Sequence, residues 1–496
     1  MKKLIIIGAG ISGLSAGIFA RQHGFDAEIY EMHSIPGGEC TGWSRTGYHF
    51  DNCIHWLTGT KEDTDLYKVW KELGAFQDTD IYQADYLFAY NKNGKTLYFY
   101  RDIDKLKQHL NELSPEDNEE IARFIDLIRK FQVLTVPTKK PMDMMNIIDY
   151  IKMGMEYRHI SKDLSLLQKS SIEEYASRFK SQLIREAIKN TCPENYYAMA
   201  IFFSFGTFTS GNGGYPMGGS LKMSFRMADK FKELGGKIFY NTKAKRIIVE
   251  NGDAVGIQLD SGEIIKGDYV ISTVDAGMLM TKLLEGKYKD KVFDKQFNNP
   301  DLYPIHSSVN IGFGVSCDLS PREHDISYEV EPFKCGGKLI DRINLKHYCH
   351  EPSFAPKGSS VIIVRIMGDD YDYWKNLRDS STEKYYAEKD KLSKDLIDRI
   401  GKLYPETRGK FEAVDVSTPL TYERYFGAYK GAWMGFDISP KSKALIHNGL
   451  IKGIDNLFVA GQWIFMPGGL PSAVLAGKWA IQKLCKKEGK EFTFKF

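Results

Sequence analysis

A glycine-rich turn near the start of the chain has the residue types and spacing of a phosphate-binding site. The apolar run Lys3–Ile7 leads directly into the sequence Gly8-Ala9-Gly10-Ile11-Ser12-Gly13, and such a run predicts a strand buried on both faces. Small residues at this spacing permit a tight turn and let backbone N–H groups approach a pyrophosphate. We expect a helix to begin near Ile11 and to direct the positive end of its dipole at the phosphate. The predicted phosphate-binding residues are Gly8, Gly10, Ser12 and Gly13.

An acidic residue follows at the distance where dinucleotide-binding proteins hold a ribose. Residues 27–30 predict a second strand that ends at Glu31, and a carboxylate there binds ribose hydroxyls. Because a carboxylate repels a 2′-phosphate, the site favours NAD or FAD over NADP. Residues 13–17 also match the Gly-x-Ser-x-Gly pattern of hydrolases, but Ser15 falls inside the predicted helix, which excludes a hydrolase.

The residues after Glu31 add two further motifs, Pro36-Gly37-Gly38 and Gly47-Tyr48-His49-Phe50-Asp51. In this order they resemble the FAD-dependent phytoene desaturase, carotenoid isomerase and retinol saturase group, relatives of the flavin amine oxidases. That family has a Gly-Gly doublet after the ribose-binding acid and then a Gly-aromatic-x-Phe-Asp segment. The chain departs from the family pattern at Glu39, where arginine is common, and at Cys53, where glycine is frequent.

A second strand-turn-helix lies near the end of the chain. Residues 455–461 form an apolar run that ends in glycine, and Pro467-Gly468-Gly469-Leu470-Pro471-Ser472 opens a predicted helix. The N-terminus of such a helix can stabilise the negative charge of a reduced flavin, so two turns of this kind favour FAD over NAD. The resemblance also implies that the strand at Ala244 meets the adenine. The further predicted cofactor contacts are Gly37, Gly38, Ala244, Gly461, Gly468, Gly469, Leu470 and Ser472.

These elements predict an α/β fold with two domains. A discontinuous Rossmann-like FAD-binding domain with a parallel sheet is expected from residues 1–75, 215–285 and 410–496. An α+β substrate-binding domain is expected from residues 76–214 and 286–409. Asn93-Gly94 between two aromatic runs indicates a hairpin in the second domain, and the apolar run 361–367 predicts a central strand there.

Composition excludes several classes of protein. The formal net charge is only +3, which gives no reason to expect a nucleic-acid partner. The seven cysteines contain no Cys-x-x-Cys pair, so we expect reduced thiols and a cytoplasmic location. No segment reaches the roughly twenty apolar residues of a transmembrane helix. His347, Cys349, His350 and Glu351 lack a second ligand pair at zinc-like spacing, so no metal site is predicted.

Two apolar stretches bear on how an apolar substrate would be reached and held. Residues 141–155 contain five methionines at helix-like spacing, and apolar stripes of this kind usually pack in a core. Flexible methionines also suit a surface that touches lipid, so contact with the inner face of the membrane is the alternative. Residues 197–208 form the most apolar stretch and are expected to line the interior of the substrate domain.

The implied function is flavin-dependent redox chemistry at C–C bonds of an apolar unsaturated molecule such as a carotenoid, retinoid or related lipid, as desaturase, saturase or isomerase. One alternative is a flavin amine oxidase acting on a polar amine. Another is a lipid-binding escort without flavin, against which the intact glycine turn and Glu31 argue.

His55 and Glu39 are the candidate acid–base residues, and Trp56 and Trp463 are expected to shape the pocket. His55 can exchange a proton near neutral pH. Glu39, in place of arginine, should make the field at the flavin more negative. A more negative field favours reduction or isomerisation of a polyene over desaturation.

Overall fold

Five parallel strands form the sheet that positions the N-terminal glycine turn. The computed structural model describes residues 1–134, 136–193, 195–368 and 370–494. The order across this sheet is Lys237–Phe239, Asp26–Tyr30, Lys3–Ile7, Tyr269–Ser272 and Leu457–Val459. Every neighbouring pair is parallel, so the carboxyl ends of all five strands lie at one edge. The predicted parallel sheet is therefore confirmed.

Two helices from opposite ends of the chain pack together on this sheet. Helix Ile11–Gln22 begins where the glycine motif predicts, and helix Leu470–Lys487 begins after the second glycine turn. The Ser15 hydroxyl donates a hydrogen bond of 2.7 Å to the carbonyl of Val474. A Cβ atom on Gly477 would lie 2.2 Å from the Ser12 carbonyl oxygen, so only glycine permits this approach.

A seven-stranded mixed sheet forms the second large layer. Its order is Phe411–Ser417, Ser307–Val315, Ser360–Gly368, Lys338–His347, Asp325–Cys335, Tyr86–Lys92 and Lys95–Tyr100. The last two strands form the predicted hairpin around Asn93-Gly94, and the predicted strand at 361–367 lies inside the sheet. Both predictions are confirmed.

The division into two domains stays a prediction, but one of its boundaries moves. Strand Phe411–Ser417 pairs with Ser307–Val315 in the seven-stranded sheet, although residue 410 was the expected start of the last FAD-binding segment. The chain therefore leaves the seven-stranded sheet only after residue 417. The sequence of this strand, Phe-Glu-Ala-Val-Asp-Val-Ser, does not reveal which sheet it joins, because its apolar residues can pack in either sheet.

The remaining strands form three small sheets, and helices cover the layers. The small sheets contain Ala244–Glu250, Asp253–Leu259 and Ile264–Lys266; Gly42–Arg45 and Tyr48–Asp51; and Leu57–Thr58, Gly213–Pro216 and Ile81–Tyr82. The other α-helices are Asp65–Glu72, Ile103–Leu113, Asn118–Phe131, Ile147–Glu156, Ser161–Leu167, Ile172–Ala176, Gln182–Lys189, Met199–Thr209, Gly219–Glu233, Ala276–Met278, Lys291–Phe297, Tyr371–Ser380, Thr382–Leu403 and Pro419–Phe426. Among the described residues, no helix is both long and apolar enough to cross a membrane.

The methionine-rich stretch forms a helix, but this helix does not lie in the core. Helix Ile147–Glu156 begins at a capping box between Asn146 and Asp149. Four apolar side chains on one of its faces are exposed: Ile147 by 79%, Ile148 by 61%, Ile151 by 55% and Met155 by 64%. The core prediction is wrong, because helical spacing predicts an apolar face without showing what covers it.

The contact at Gly477 can be tested by adding one methyl group. Gly477→Ala should lower stability by about 1–3 kcal/mol, the scale of overpacking in a close-packed core, and should shift the denaturant midpoint accordingly. Gly154→Ala is the matched control, because no described atom outside the backbone of its own exposed helix lies within 4 Å of its Cβ position. That change should raise stability by about 0.5–1 kcal/mol. Equal midpoints for the two variants would contradict the packing argument.

Candidate functional site

Two adjoining cavities lie at the carboxyl edge of the parallel sheet. The smaller has a volume of about 510 Å³ and the larger about 1620 Å³. Both are lined by Gly10, Gly38, Thr273, Val274 and Phe426. Every predicted cofactor contact except Gly13 lines one of them. The cavities thus meet at the predicted phosphate turn.

The turn between strand Lys3–Ile7 and the first helix has the geometry of an anion site. Gly8 adopts a φ of 100°, and the cap residue Gly10 has no side chain to bond the free N–H groups of the helix. The Ser12 hydroxyl is buried and has no hydrogen-bond partner within the described structure. An orphaned donor beside an uncapped helix N-terminus fits a pyrophosphate oxygen. Gly13 instead serves packing, since its Cβ would lie 2.0 Å from the Gly8 carbonyl oxygen.

Glu31 lines the smaller cavity together with Ala244. Its carboxylate accepts hydrogen bonds from the backbone N–H of Ala9 at 2.7 Å and of His33 at 2.8 Å. Burial raises the pKa of Glu31 even though these hydrogen bonds oppose the shift. The carboxylate therefore braces the glycine turn as well as facing the cavity where a ribose would lie.

The second glycine turn lines the larger cavity. Gly461, Gly468 and Gly469 all have positive φ angles, of 113°, 107° and 94°. The Gln462 amide oxygen accepts a 3.0 Å hydrogen bond from the Gly469 N–H, and the Ser472 hydroxyl donates one of 3.1 Å to the Gly468 carbonyl. These bonds fix the N-terminus of helix Leu470–Lys487 at the cavity wall, where its dipole can stabilise negative charge on a flavin ring.

His55 and Glu39 both line the larger cavity, but neither carries the charge expected from its residue type. The Arg365 guanidinium donates a 2.9 Å hydrogen bond to Nε2 of His55. Since a guanidinium has only donors, Nε2 accepts and the proton lies on Nδ1. Burial, Lys346 and Arg365 hold the pKa of His55 well below its usual range, so the ring is neutral at neutral pH.

The Glu39 carboxyl faces the enclosed cavity and receives a hydrogen bond from Gln462. Burial, the Cys53 thiol and Asp275 raise the pKa of Glu39 well above its ordinary range. A raised pKa favours the protonated carboxyl, which contributes no negative field, so this shift weakens the expectation of a more negative field at this position. In its protonated form Glu39 can donate a proton.

The larger cavity has two unlike walls. One wall comes from helices and the segments beside them and is largely apolar, although Gln168 and Lys189 also line it; its apolar residues include Leu134, Val136, Leu164, Met199, Ala200, Phe203 and Phe205. The other comes from the seven-stranded sheet and is polar and charged; its residues include Asp325, Lys338, Arg342, Asn344, Lys346 and Arg365. Trp56 and Trp463 also line this cavity.

Comparison with known proteins places this architecture in a family. The family model described as flavin containing amine oxidoreductase matches residues 11–483. The chain belongs to this family. It is therefore an FAD-dependent oxidoreductase, as the glycine turns and Glu31 predict.

Relatives at low identity span nearly the whole chain. The 4,4'-diaponeurosporene oxygenase of Staphylococcus aureus (strain bovine RF122 / ET3-1) is 23% identical over 99% of this chain and 99% of its own length. The chloroplastic prolycopene isomerase of Daucus carota is 22% identical over 98% of this chain and 80% of its own length. An oxidoreductase from Methanosarcina mazei shares the fold with a TM-score of 0.61 at 17% identity, covering 97% of this chain and all of that one.

Sequence reasoning missed a second polar cluster in the flavin oxidoreductase cavity. The Tyr196 hydroxyl donates a short hydrogen bond to one oxygen of the Asp437 carboxylate, and Nδ1 of His306 contacts the other. All three residues line the larger cavity. Burial and Asp437 raise the pKa of Tyr196 well above its usual range, so its phenol is a neutral donor. The three residues are far apart in sequence, and no local pattern links them.

Two of the four residues considered as metal ligands, His347 and Glu351, have other partners. His347 contacts the Arg322 carbonyl through Nε2 at 3.1 Å, and the Glu351 carboxylate accepts a hydrogen bond from the Gly218 N–H. Within the described ranges of the chain, no group of three His, Cys, Asp or Glu side chains is placed to hold a metal ion.

Glu31 gives a direct test of the cofactor site. Glu31→Ala should weaken FAD binding by about 1–3 kcal/mol, because it removes a charge-assisted hydrogen bond and frees two backbone donors. FAD affinity should also fall as the pH drops from 7 towards the ordinary value of 4.5 for a glutamate, since protonation of Glu31 then competes with FAD.

The measurement is FAD titration of apoprotein at several pH values. Glu31→Gln should flatten the pH slope while it keeps one acceptor oxygen. Glu28→Gln is the control, because Glu28 lies on the same strand but pairs with Lys3 and Tyr30. If Glu28→Gln and Glu31→Ala bind FAD equally, the assignment of Glu31 is wrong.

Proposed function

We propose that this FAD-dependent oxidoreductase acts on the carbon–carbon bonds of a long, apolar, conjugated substrate of the carotenoid type. The supporting observation is the larger cavity, which begins at both glycine turns and continues along an apolar helical wall. When bound, FAD supplies the redox chemistry at these bonds. The protein contributes position, exclusion of water and fixed charges.

The size of the cavity supports a long substrate. Its volume of about 1620 Å³ exceeds the roughly 300–1,000 Å³ that is typical for drug-sized ligands. Part of this space belongs to the flavin ring, because the Gly461 and Gly468-Gly469 turns line it. The remainder suits an extended chain that is held by Met199, Phe203 and Phe205.

The names of two relatives support the same substrate class, an oxygenase of diaponeurosporene and an isomerase of prolycopene. Because these two names denote different reactions on polyenes, desaturation, saturation and isomerisation are all compatible with the relatives. The proton-holding groups that line this cavity include the Glu39 carboxyl and the His55 ring, whose pKa shifts favour their neutral forms.

The charged wall argues against an amine substrate. A protonated amine beside Arg365 and Lys346 would meet like charges, which disfavour its binding. Burial raises the pKa of Glu39 well above its ordinary range, which favours a neutral carboxyl that cannot compensate this repulsion. The escort alternative has no need for the uncapped Gly10 turn or the orphaned Ser12 hydroxyl.

An anaerobic assay tests the proposal and determines the direction of reaction. Oxidised and chemically reduced enzyme are each incubated with a panel of polyenes and with polar amines, and flavin absorbance is followed beside product mass. We expect a spectral change or polyene product in at least one redox state, and no reaction with the amines. Amine turnover without any polyene reaction would refute the proposal.

We further propose that helix Ile147–Glu156 contacts the membrane in which such a substrate dissolves. Its exposed face of Ile147, Ile148, Ile151 and Met155 is unusual for a surface helix. The segments on either side of it line the larger cavity, at Val136 and Leu164 among others. A substrate could therefore pass from lipid to the cavity beside this helix.

Serine substitution tests the contact. Each buried isoleucine is worth about 1.5–3 kcal/mol, so the triple variant Ile147→Ser, Ile148→Ser, Ile151→Ser should lose most of its binding to phosphatidylcholine vesicles in a flotation assay. The control is Ile264→Ser, which removes an apolar side chain that is 52% exposed on a different element. Unchanged flotation of the triple variant would show that this helix does not bind lipid.

A further inference from the structure

Strand Lys338–His347 carries a row of polar side chains into the larger cavity. Successive side chains of a strand point to opposite faces, so the residues at even positions share one face: Lys338, Ile340, Arg342, Asn344 and Lys346, all of which line the cavity. Exposure decreases along the row, from an exposed Lys338 to Lys346, which is 6% exposed. The row therefore leads from the surface into the buried part of the site.

Arg365 lies at the inner end of this row, on the neighbouring strand. The two strands pair with Leu345 opposite Val364, which places Arg365 beside Asn344. Its guanidinium donates to His55 Nε2 and to the Asn52 carbonyl. Its Nε is buried and has no partner within the described structure. An orphaned cationic donor in a cavity wall is expensive unless a ligand satisfies it.

The inner end of the row has more positive than negative charge. The Lys346 ammonium contacts the Asp325 carboxylate at 3.2 Å, which leaves the Arg365 guanidinium bonded only to neutral acceptors. Burial raises the pKa of Glu39 well above its ordinary range, which favours its uncharged form. A net positive charge in a cavity that also has an apolar wall favours an anionic partner, because charges interact strongly where the dielectric constant is low.

We propose that Arg365 and Lys346 form a subsite for the carboxylate of an unsaturated apolar acid. The carboxylate accepts hydrogen bonds from both cations while the hydrocarbon chain lies against the helical wall of Met199, Phe203 and Phe205. Planar guanidinium groups suit carboxylates especially well. The inference rests on the proposed function, because the subsite belongs to the same cavity.

The subsite lies beside the flavin turns, which gives it a consequence for specificity. The Arg365 guanidinium donates to the Asn52 carbonyl, and the Asn52 side chain donates to the carbonyl of Glu39, the residue after Gly37-Gly38. A substrate held there by its oxidised end has that end near the Gly37-Gly38 segment of the predicted cofactor site. The enzyme is then selective for polyenes that already carry an oxygen function, which an earlier oxidation of the hydrocarbon must supply.

Three probes of one chain length test the subsite: a polyene hydrocarbon, its terminal carboxylic acid and the methyl ester of that acid. Affinities for the flavin-loaded full-length protein are measured by quenching of tryptophan fluorescence. We expect the acid to bind at least tenfold more tightly than the ester. Arg365→Gln and Lys346→Met should each remove most of this preference, while the affinity for ester stays within about twofold.

Several controls separate a binding role from a structural one. Arg365→Lys keeps the charge and should keep part of the preference for acid. Arg322→Gln removes a cation that pairs with Glu406 outside the cavity and should leave the preference unchanged. Flavin content and ester affinity report whether each variant is folded. If Arg365→Gln does not fold, the single variants Arg365→Lys and Lys346→Met serve as the test.

The outcomes distinguish this inference from the proposed function. Equal affinities for acid and ester in the unmodified protein would overturn the subsite even if polyenes react. A preference for the acid that survives both Arg365→Gln and Lys346→Met would overturn it as well. An acid preference that depends on Arg365 would support the subsite even if no polyene reacts, in which case the proposed reaction fails alone. Failure of all three probes to bind would overturn both.

Discussion

The convergence of three strand ends on Thr273 determines where the rest of the structure can lie. The Thr273 hydroxyl donates to the Ile7 carbonyl at 2.8 Å. A Cβ on Gly461 would lie only 3.2 Å from the Thr273 carbonyl oxygen. The first and last glycine turns are thereby held in van der Waals distance of one residue. Parallel pairing produces this arrangement, because it brings the carboxyl ends of distant strands to one edge. Motifs from opposite ends of the chain can consequently hold a single cofactor.

Features that depend on short-range sequence could be predicted, and those that depend on tertiary partners could not. The Gly8 turn, the helix that begins at Leu470 and the hairpin at Asn93-Gly94 follow from periodicity and turn chemistry. The exposure of helix Ile147–Glu156 and the sheet joined by Phe411–Ser417 depend on which surfaces meet. For the charged wall a signal did exist in the sequence: an arginine inside the apolar run 361–367 and lysines and arginine at even spacing along 338–346.

Burial reverses the electrostatics that residue types alone suggest. The residue types suggest an anion at Glu39 and a proton-exchanging group at His55, yet desolvation raises the pKa of Glu39 and lowers that of His55, and both shifts favour the neutral form. The guanidinium of Arg365 cannot respond in the same way, because arginine side chains keep their proton in proteins. The fixed positive charge at the inner end of the polar wall therefore comes from a residue that the sequence motifs do not include.

A positive wall opposite an apolar wall gives the cavity selectivity of two kinds. The apolar wall favours the binding of longer hydrocarbon chains, because each buried methylene adds about 0.8 kcal/mol of favourable transfer free energy. The positive wall discriminates among chains of equal length by their end groups, because it repels ammonium groups and attracts electron-rich oxygen. Retaining Arg365 and Lys346 in a buried site lowers stability relative to an apolar replacement. A fold that keeps them against this cost uses them for recognition, and the orphaned Nε of Arg365 shows where the missing contact lies.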